Sequence, residues 1–230
     1  MAKTLKQSPT SNDWRTMLKK ETAIMGYLDV ANIIGWKKYL GWNVRTAKLV
    51  KQLREMQNMR EVKVYYGTNR RKLEESEAFN RDVMKAGAIL RTKPVKFIRK
   101  TVDLGMFFKK TTLGQLDMGT TTLVNSVVEA VQSSGAIIEE PKCNFDVEMT
   151  MDLMDDTERA SGFMLFSGDS DFFAPLERLK LKGRRVYVVG ARGAMSRELF
   201  VVADAFIDIG KLYQRGEANS ENPAFGGGTA

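Results

Sequence analysis

Short apolar runs alternate with helix-patterned segments along most of this chain, and that alternation constrains its fold more than any other feature. Ala23 to Val30, Val62 to Tyr66, Ala88 to Leu90, Gly162 to Ser167, Arg185 to Val189 and Ala205 to Ile209 read as strands. Between them, Asn43 is a plausible N-cap for a segment with Ala47, Val50, Leu53 and Met56 at helical spacing. Arg70 to Lys85 reads as a charged helix ended by Gly87. Val147 to Asp156, Phe172 to Lys182 and Ser196 to Ala203 read as further helices, the first with Asp146 at or near its cap. Buried strands alternating with helices predict an α/β fold, a central, mainly parallel sheet with helices on both faces.

The length of 230 residues suits one domain. Residues 1–20 read as a polar, frayed N-terminal extension, residues 21–213 as the domain, and residues 214–230, with Gly226-Gly227-Gly228, as a disordered tail. Two stretches stay open. Lys93 to Lys110 is basic with interleaved apolar residues and could be a hairpin or an extended arm. Thr120 to Ser134 places Leu123, Val124, Val127, Val128 and Val131 on a helix face, although its Thr and Val content also allows a strand.

Composition removes whole classes of chemistry. The chain has no histidine and one cysteine, Cys143. Histidine-based acid–base catalysis, Ser-His-Asp triads and His-Cys zinc sites are excluded, and a catalytic metal would need oxygen ligands, which suit Mg²⁺ or Mn²⁺. One thiol forms no internal disulfide, no apolar run approaches a membrane span, and the N-terminus lacks the apolar core of a signal peptide. The expected setting is the cytoplasm. The formal charge of +8 suggests a polyanionic partner.

Ligands of open α/β sheets bind at the carboxyl ends of the strands. Asp29 closes the first strand, and Asp169 and Asp171 sit in the turn Gly168-Asp169-Ser170-Asp171 after the strand Gly162 to Ser167. Gly168 lets that turn be sharp. Asp146 opens the helix leading into the same strand. A parallel fold can gather all four. Carboxylates held close repel one another unless a cation intervenes. Asn32 could orient water or a phosphate oxygen, and Ser167 and Ser170 could hold the aspartates by hydrogen bonds. Each acid alone also has a plain reading as a turn or cap residue. Asp152, Asp155 and Asp156 read as mostly solvent-facing.

Four stretches together resemble the NYN domain family of the PIN-like nuclease superfamily: Gly26-Tyr27-Leu28-Asp29-Val30-Ala31-Asn32, Lys142 to Glu148, Met151 to Met154, and Phe166-Ser167-Gly168-Asp169-Ser170-Asp171-Phe172 running on through Pro175-Leu176 to Gly190. The resemblance spans Ile24 to Ile209. It implies a PIN-like Rossmannoid fold, Mg²⁺ or Mn²⁺ at clustered acids, and RNA cleavage. Residue by residue it makes Asp29, Asp146, Asp169 and Asp171 the metal-binding acids, places Asn32 at the polar position after the first, and matches Asp152 to a recurrent helix acid. Residues 111–138 match no part of the pattern and read as an insertion.

RNA phosphates could meet Lys37 and Lys38, Arg70, Arg71 and Lys72, and the set Lys93, Lys96, Arg99, Lys100, Lys109 and Lys110, whose charges lie among Phe97, Phe107 and Phe108. Trp36 and Trp42 could stack bases or pack against the core. The expected function is a metal-dependent ribonuclease. The alternatives are an inactive RNA-binding or scaffolding protein of the same fold and a phosphohydrolase of the haloacid dehalogenase type. The last would need an acid where Ala31 stands. Self-association into a homo-oligomer stays open.

Overall fold

The computed structural model describes residues 14–101, 118–135 and 137–213. The expectations for 1–13 and 214–230, and for Phe107, Phe108, Lys109 and Lys110, lie outside those residues. The described chain divides into two compact units, one of residues 93–144 and one comprising the rest.

The larger unit is built on a six-stranded sheet in the order β3-β2-β1-β6-β7-β8. The strands are β1 (Ile24–Asp29), β2 (Met59–Thr68), β3 (Ile89–Pro94), β6 (Gly162–Phe166), β7 (Arg185–Gly190) and β8 (Ala205–Asp208), while β4 (Lys96–Thr101) and β5 (Ile137–Lys142) form a separate two-stranded sheet. β1 runs parallel to β2 and β6, β6 to β7, and β7 to β8. The α/β fold with a mainly parallel sheet is thus as the sequence predicts. Burial explains why the strands read so clearly. β6 is buried at all five positions and β1 from Ile24 to Leu28, as expected of strands covered on both faces. Helices Thr46–Arg54 and Leu73–Lys85 pack on β2, and Phe173–Leu181 and Arg197–Val202 on β7. No helix among the described residues is long and apolar enough to cross a membrane.

Strand order decides where a site can form. The chain builds outward from β1 to β3 and later resumes at β6, on the other side of β1. The reversal between β1 and β6 is a topological switch point, where a crevice opens at the carboxyl ends of the strands. Asp29 ends β1, and Ser167 to Asp171 follow β6.

Several sequence expectations need correction. Residues 14–20 are not frayed: Trp14–Lys20 is a helix whose Trp14 and Leu18 join the core. The helix expected from Asn43 begins at Thr46, with Arg45 in the cap position. In the smaller unit, Met118–Ser133 is the helix the apolar spacing favoured. Among the described residues of the basic stretch one further strand forms. Its strand β4 (Lys96–Thr101) pairs antiparallel with β5 (Ile137–Lys142), a strand the sequence reading missed. Pro141 and exposure at every position hide β5 from a search for apolar runs.

The largest correction concerns Asp152 and Asp156, read as mostly solvent-facing. Asp156 is 1% exposed and Lys63, on β2, is 4% exposed. Lys63 Nζ donates to Asp156 Oδ2 at 2.5 Å and to Asp152 Oδ1 at 3.1 Å. Tyr27 OH donates to Asp156 Oδ2 at 2.7 Å, Tyr65 OH to Asp152 Oδ2 at 2.6 Å, and Arg91 grips both Asp152 oxygens at 3.1 Å. Arg159 closes the network through Asp156 Oδ1 and Glu61. A buried ammonium is tolerated because each of its neighbours is charged or hydrogen-bonded. Burial pushes the Asp152 carboxyl up, but hydrogen bonds from Arg91, Tyr65 and Lys63 outweigh it and bring its pKa to about 2. The network ties the helix Asp146–Asp155 to β1, β2 and β3.

Removing the ammonium takes from two carboxylates the buried cation they share, leaving Asp152 to Arg91 and Tyr65 and Asp156 to Arg159 and Tyr27. Lys63→Met is expected to cost about 3–5 kcal/mol, read from urea unfolding at pH 7. The folded pKa of Asp152 lies below its unfolded value of about 3.9, so its stabilisation is complete above that pH and is lost as pH falls toward 2. Melting temperature should therefore drop through this window in the wild type, and less steeply in Asp152→Asn.

Candidate metal centre

The end of β1 builds the first wall. Asp29 is the N-cap of helix Val30–Gly35. Its Oδ1 accepts from the Asn32 amide N–H at 3.2 Å, and its Oδ2 from Asn32 Nδ2 at 2.7 Å and Ser167 Oγ at 3.4 Å. Asn32 Oδ1 in turn accepts from Gly168 N at 3.1 Å. The two contacts fix the amide orientation, donor toward the carboxylate and acceptor toward the main chain. Asn32 is therefore a bridge between β1 and the turn after β6. Burial raises the Asp29 pKa above the ordinary carboxylate value, against the lowering effect of the Asn32 and Ser167 hydrogen bonds.

The turn after β6 builds the second wall. Ser167 Oγ accepts from Asp169 N at 3.3 Å, and Asp169 Oδ1 accepts from Asp171 N at 3.0 Å, capping the 3₁₀ turn Ser170–Phe172. Gly168 proves necessary for a reason other than turn geometry, because its φ is not positive. A Cβ there would lie 2.0 Å from the carbonyl oxygen of Ala194, and Ser196 N donates to Gly168 O at 3.0 Å. The segment after β7 thus rests directly on this turn.

Asp146, the first residue of its helix, completes the arrangement. Asp146, Asp169 and Asp171 each offer one carboxylate oxygen, and these oxygens lie within 4.8 Å of one another. Asp29 lies outside that threesome but is joined to it through Ser167 and Asn32. The four acids therefore stand as three plus one. Asp146 and Asp169 are half-buried and Asp171 is exposed. The donor set fits a hard divalent cation: it is all oxygen, anionic and clustered, in a chain without histidine. Mutual repulsion of the three carboxylates gives such an ion a favourable place.

The remaining expectations divide. Ser167 does hold Asp29, whereas Ser170 is exposed in the 3₁₀ turn. Asp152 is engaged by Lys63, Tyr65 and Arg91. Trp36 is 1% exposed and belongs to the core, while Trp42 is half-buried and stacks on Tyr213 at 5.4 Å, so both tryptophans pack. Lys37, Lys38, Arg70 and Arg71 are exposed, and Lys72 is ion-paired with Glu75. On the β4–β5 ribbon, Arg99 and Lys100 pair with Glu139 and Glu140 across the strands. Lys96 faces Lys142, a cation the sequence reading passed over, and both line a cleft of about 340 Å³ with Lys93. Like charges directly opposite in a ribbon are unfavourable without an anion. A larger hollow of about 680 Å³ opens between Trp14, Leu49 and Leu212, and none of the four aspartates lines it.

The family model of the NYN domain matches residues 120–210, a range containing Asp146, Asp169 and Asp171 but not Asp29 or Asn32. The Low amplitude and bright protein LabA of Synechococcus elongatus is 34% identical over 71 residues, 31% of this chain and 38% of that protein. The chain thus matches well under half the length of this curated relative. A crystal structure of a protein of unknown function from Vibrio parahaemolyticus superposes with a TM-score of 0.57 at 18% identity, covering 82% of this chain and 93% of that one, and shares the fold.

Two variants probe the geometry. Asp169→Asn should weaken Mn²⁺ binding by at least about tenfold in calorimetric titration, since even residues that only orient metal ligands have effects of that size. Gly168→Ala should cost about 1–3 kcal/mol by urea unfolding, because the Ala194 carbonyl must move aside.

Proposed function

We propose that this chain, which carries an NYN domain over residues 120–210, is a ribonuclease that hydrolyses phosphodiester bonds with Mg²⁺ or Mn²⁺ held by Asp146, Asp169 and Asp171 and with Asp29 beside them. The observation that carries this reading is the convergence of the three carboxylate oxygens at the switch point of the sheet. Bound there, a divalent ion would lower the pKa of an attacking water and offset charge on the scissile phosphate.

The chain's own residues have separable tasks. Asn32 and Ser167 hold the Asp29 carboxylate through its two oxygens. Asp29, joined to the metal-binding acids through Ser167 and Asn32, would accept a proton from the nucleophilic water at a carboxylate oxygen, and a cation beside it would keep that carboxylate ionised. Asp169 is oriented by Asp171 N and by Ser167 through its own backbone. Lys37, Lys38, Arg70 and Arg71 in the larger unit, and Lys93, Lys96 and Lys142 in the smaller, supply positive charge for the RNA backbone. A cytoplasmic setting suits the lone thiol of Cys143.

Turnover of a labelled single-stranded RNA in Mn²⁺ is the direct test. Asp169→Asn should lower kcat by at least about a hundredfold while the variant stays folded by circular dichroism. RNA binding without turnover in the wild type would instead mark an inactive RNA-binding protein. Removing Lys96 and Lys142 together should flatten the salt dependence of RNA affinity by roughly 0.7 per lost phosphate contact in the slope of log K against log salt. An unchanged slope would remove the ribbon from the RNA interface.

A further inference from the structure

Two rings and two glycines meet beside the aspartates. Trp36, between the short helices Val30–Gly35 and Lys37–Leu40, and Tyr39, on the second of them, stand three residues apart. Gly190 and Gly193 stand three residues apart at and just after the end of β7. A Cβ on Gly190 would lie 2.5 Å from Met195 Sδ and 3.5 Å from Trp36 Cζ2, and a Cβ on Gly193 would lie 2.5 Å from Tyr39 Cδ1. Gly193 thus receives the Tyr39 ring at a distance no side chain would permit, whereas Gly190 is crowded by Met195 and meets Trp36 at ordinary contact distance. The outcomes differ. Trp36 is 1% exposed, but Tyr39 is 47% exposed and bears the ammonium of Lys38 at 4.8 Å from its ring centroid.

Tyr39 is close to the acids by a short structural path. Its ring touches Gly193, the next residue's carbonyl presses on Gly168, and Gly168 precedes Asp169. Two contacts and one peptide step of about 3.8 Å thus link the ring to the Asp169 turn. Lys37 and Lys38, just before it in the chain, are exposed, and Arg192, next to Gly193, is exposed and ion-paired with Asp208. An aromatic ring with cations about it, held by a backbone that cannot yield, has the composition of a stacking platform for single-stranded nucleic acid.

We propose that Tyr39 stacks an unpaired base of the substrate next to the scissile phosphate, with Lys38 moving from the ring to a neighbouring phosphate. It rests on the ribonuclease reading, but its binding half can be tested without turnover. Stacking is sequence-tolerant, since every base has a π-face, so Tyr39 selects strandedness and not sequence.

The test compares oligoadenylate with an abasic ribose-phosphate oligomer of equal length, by fluorescence anisotropy in Ca²⁺ and by steady-state cleavage in Mn²⁺. Tyr39→Ala should weaken oligoadenylate binding about 5- to 100-fold and raise KM in step, with kcat changed less than about twofold. Its affinity for the abasic oligomer should match that of the wild type, and Tyr39→Trp should restore oligoadenylate binding. A purely structural role for Tyr39 would weaken both ligands alike, and that result overturns the proposal. So does an Ala variant that binds oligoadenylate as the wild type does, or a wild type that binds neither. Base-dependent binding through Tyr39 without any cleavage would support the platform while removing the ribonuclease reading. Cleavage with no dependence on Tyr39 would do the reverse.

Discussion

One amide holds the candidate centre together. Asn32 gives its N–H groups to the Asp29 carboxylate and takes the Gly168 N–H on its oxygen. These contacts clamp the carboxyl end of β1 to the turn after β6 across the place where the strand order reverses. A half-buried carboxylate is unfavourable unless its lone pairs are engaged, so the bridge answers a local electrostatic need and sets the frame of the site in the same contacts. Without it the end of β1 and the Asp169 turn would be linked only through Ser167 and neighbouring strand pairing.

A second constraint acts from behind. The helix that begins at Asp146 is held along its later turns by Asp152 and Asp156, which grip Lys63, Tyr27, Tyr65 and Arg91. The site-facing end carries a carboxylate with metal-ligand spacing, while the far end carries carboxylates neutralised by cations of the sheet. Two populations of aspartate on one short helix thereby do different work, and only partners in space tell them apart.

That contrast explains what could be read from the sequence. Strands such as Gly162–Phe166 were legible because buried apolar residues leave a local pattern, and the turn acids were legible because they follow such strands. Asp152 and Asp156 were misread because their partners come from β1, β2 and β3, far away in sequence, and a helix acid carries no mark of them. Strand β5 escaped for a related reason: its side chains are exposed at every position, so pairing to β4 defines it. Gly168 was noticed for the wrong cause, since turn propensity is local and the Ala194 carbonyl is not. Gly193 carries no local sign that it packs on Tyr39, a residue more than 150 positions away.

The grip of Arg91 on Asp152 has a wider consequence. It joins the place where the chain leaves the larger unit, after Thr92, to the helix by which it returns, from Phe145. A return point fastened by the larger unit's own residues makes that unit indifferent to the size of the excursion. Closing a longer loop is only slightly less favourable, by about 0.6 kcal/mol for each doubling of its length. Residues 93–144 can therefore lengthen, shorten or change character in descendants of this chain while the aspartates stay where they are.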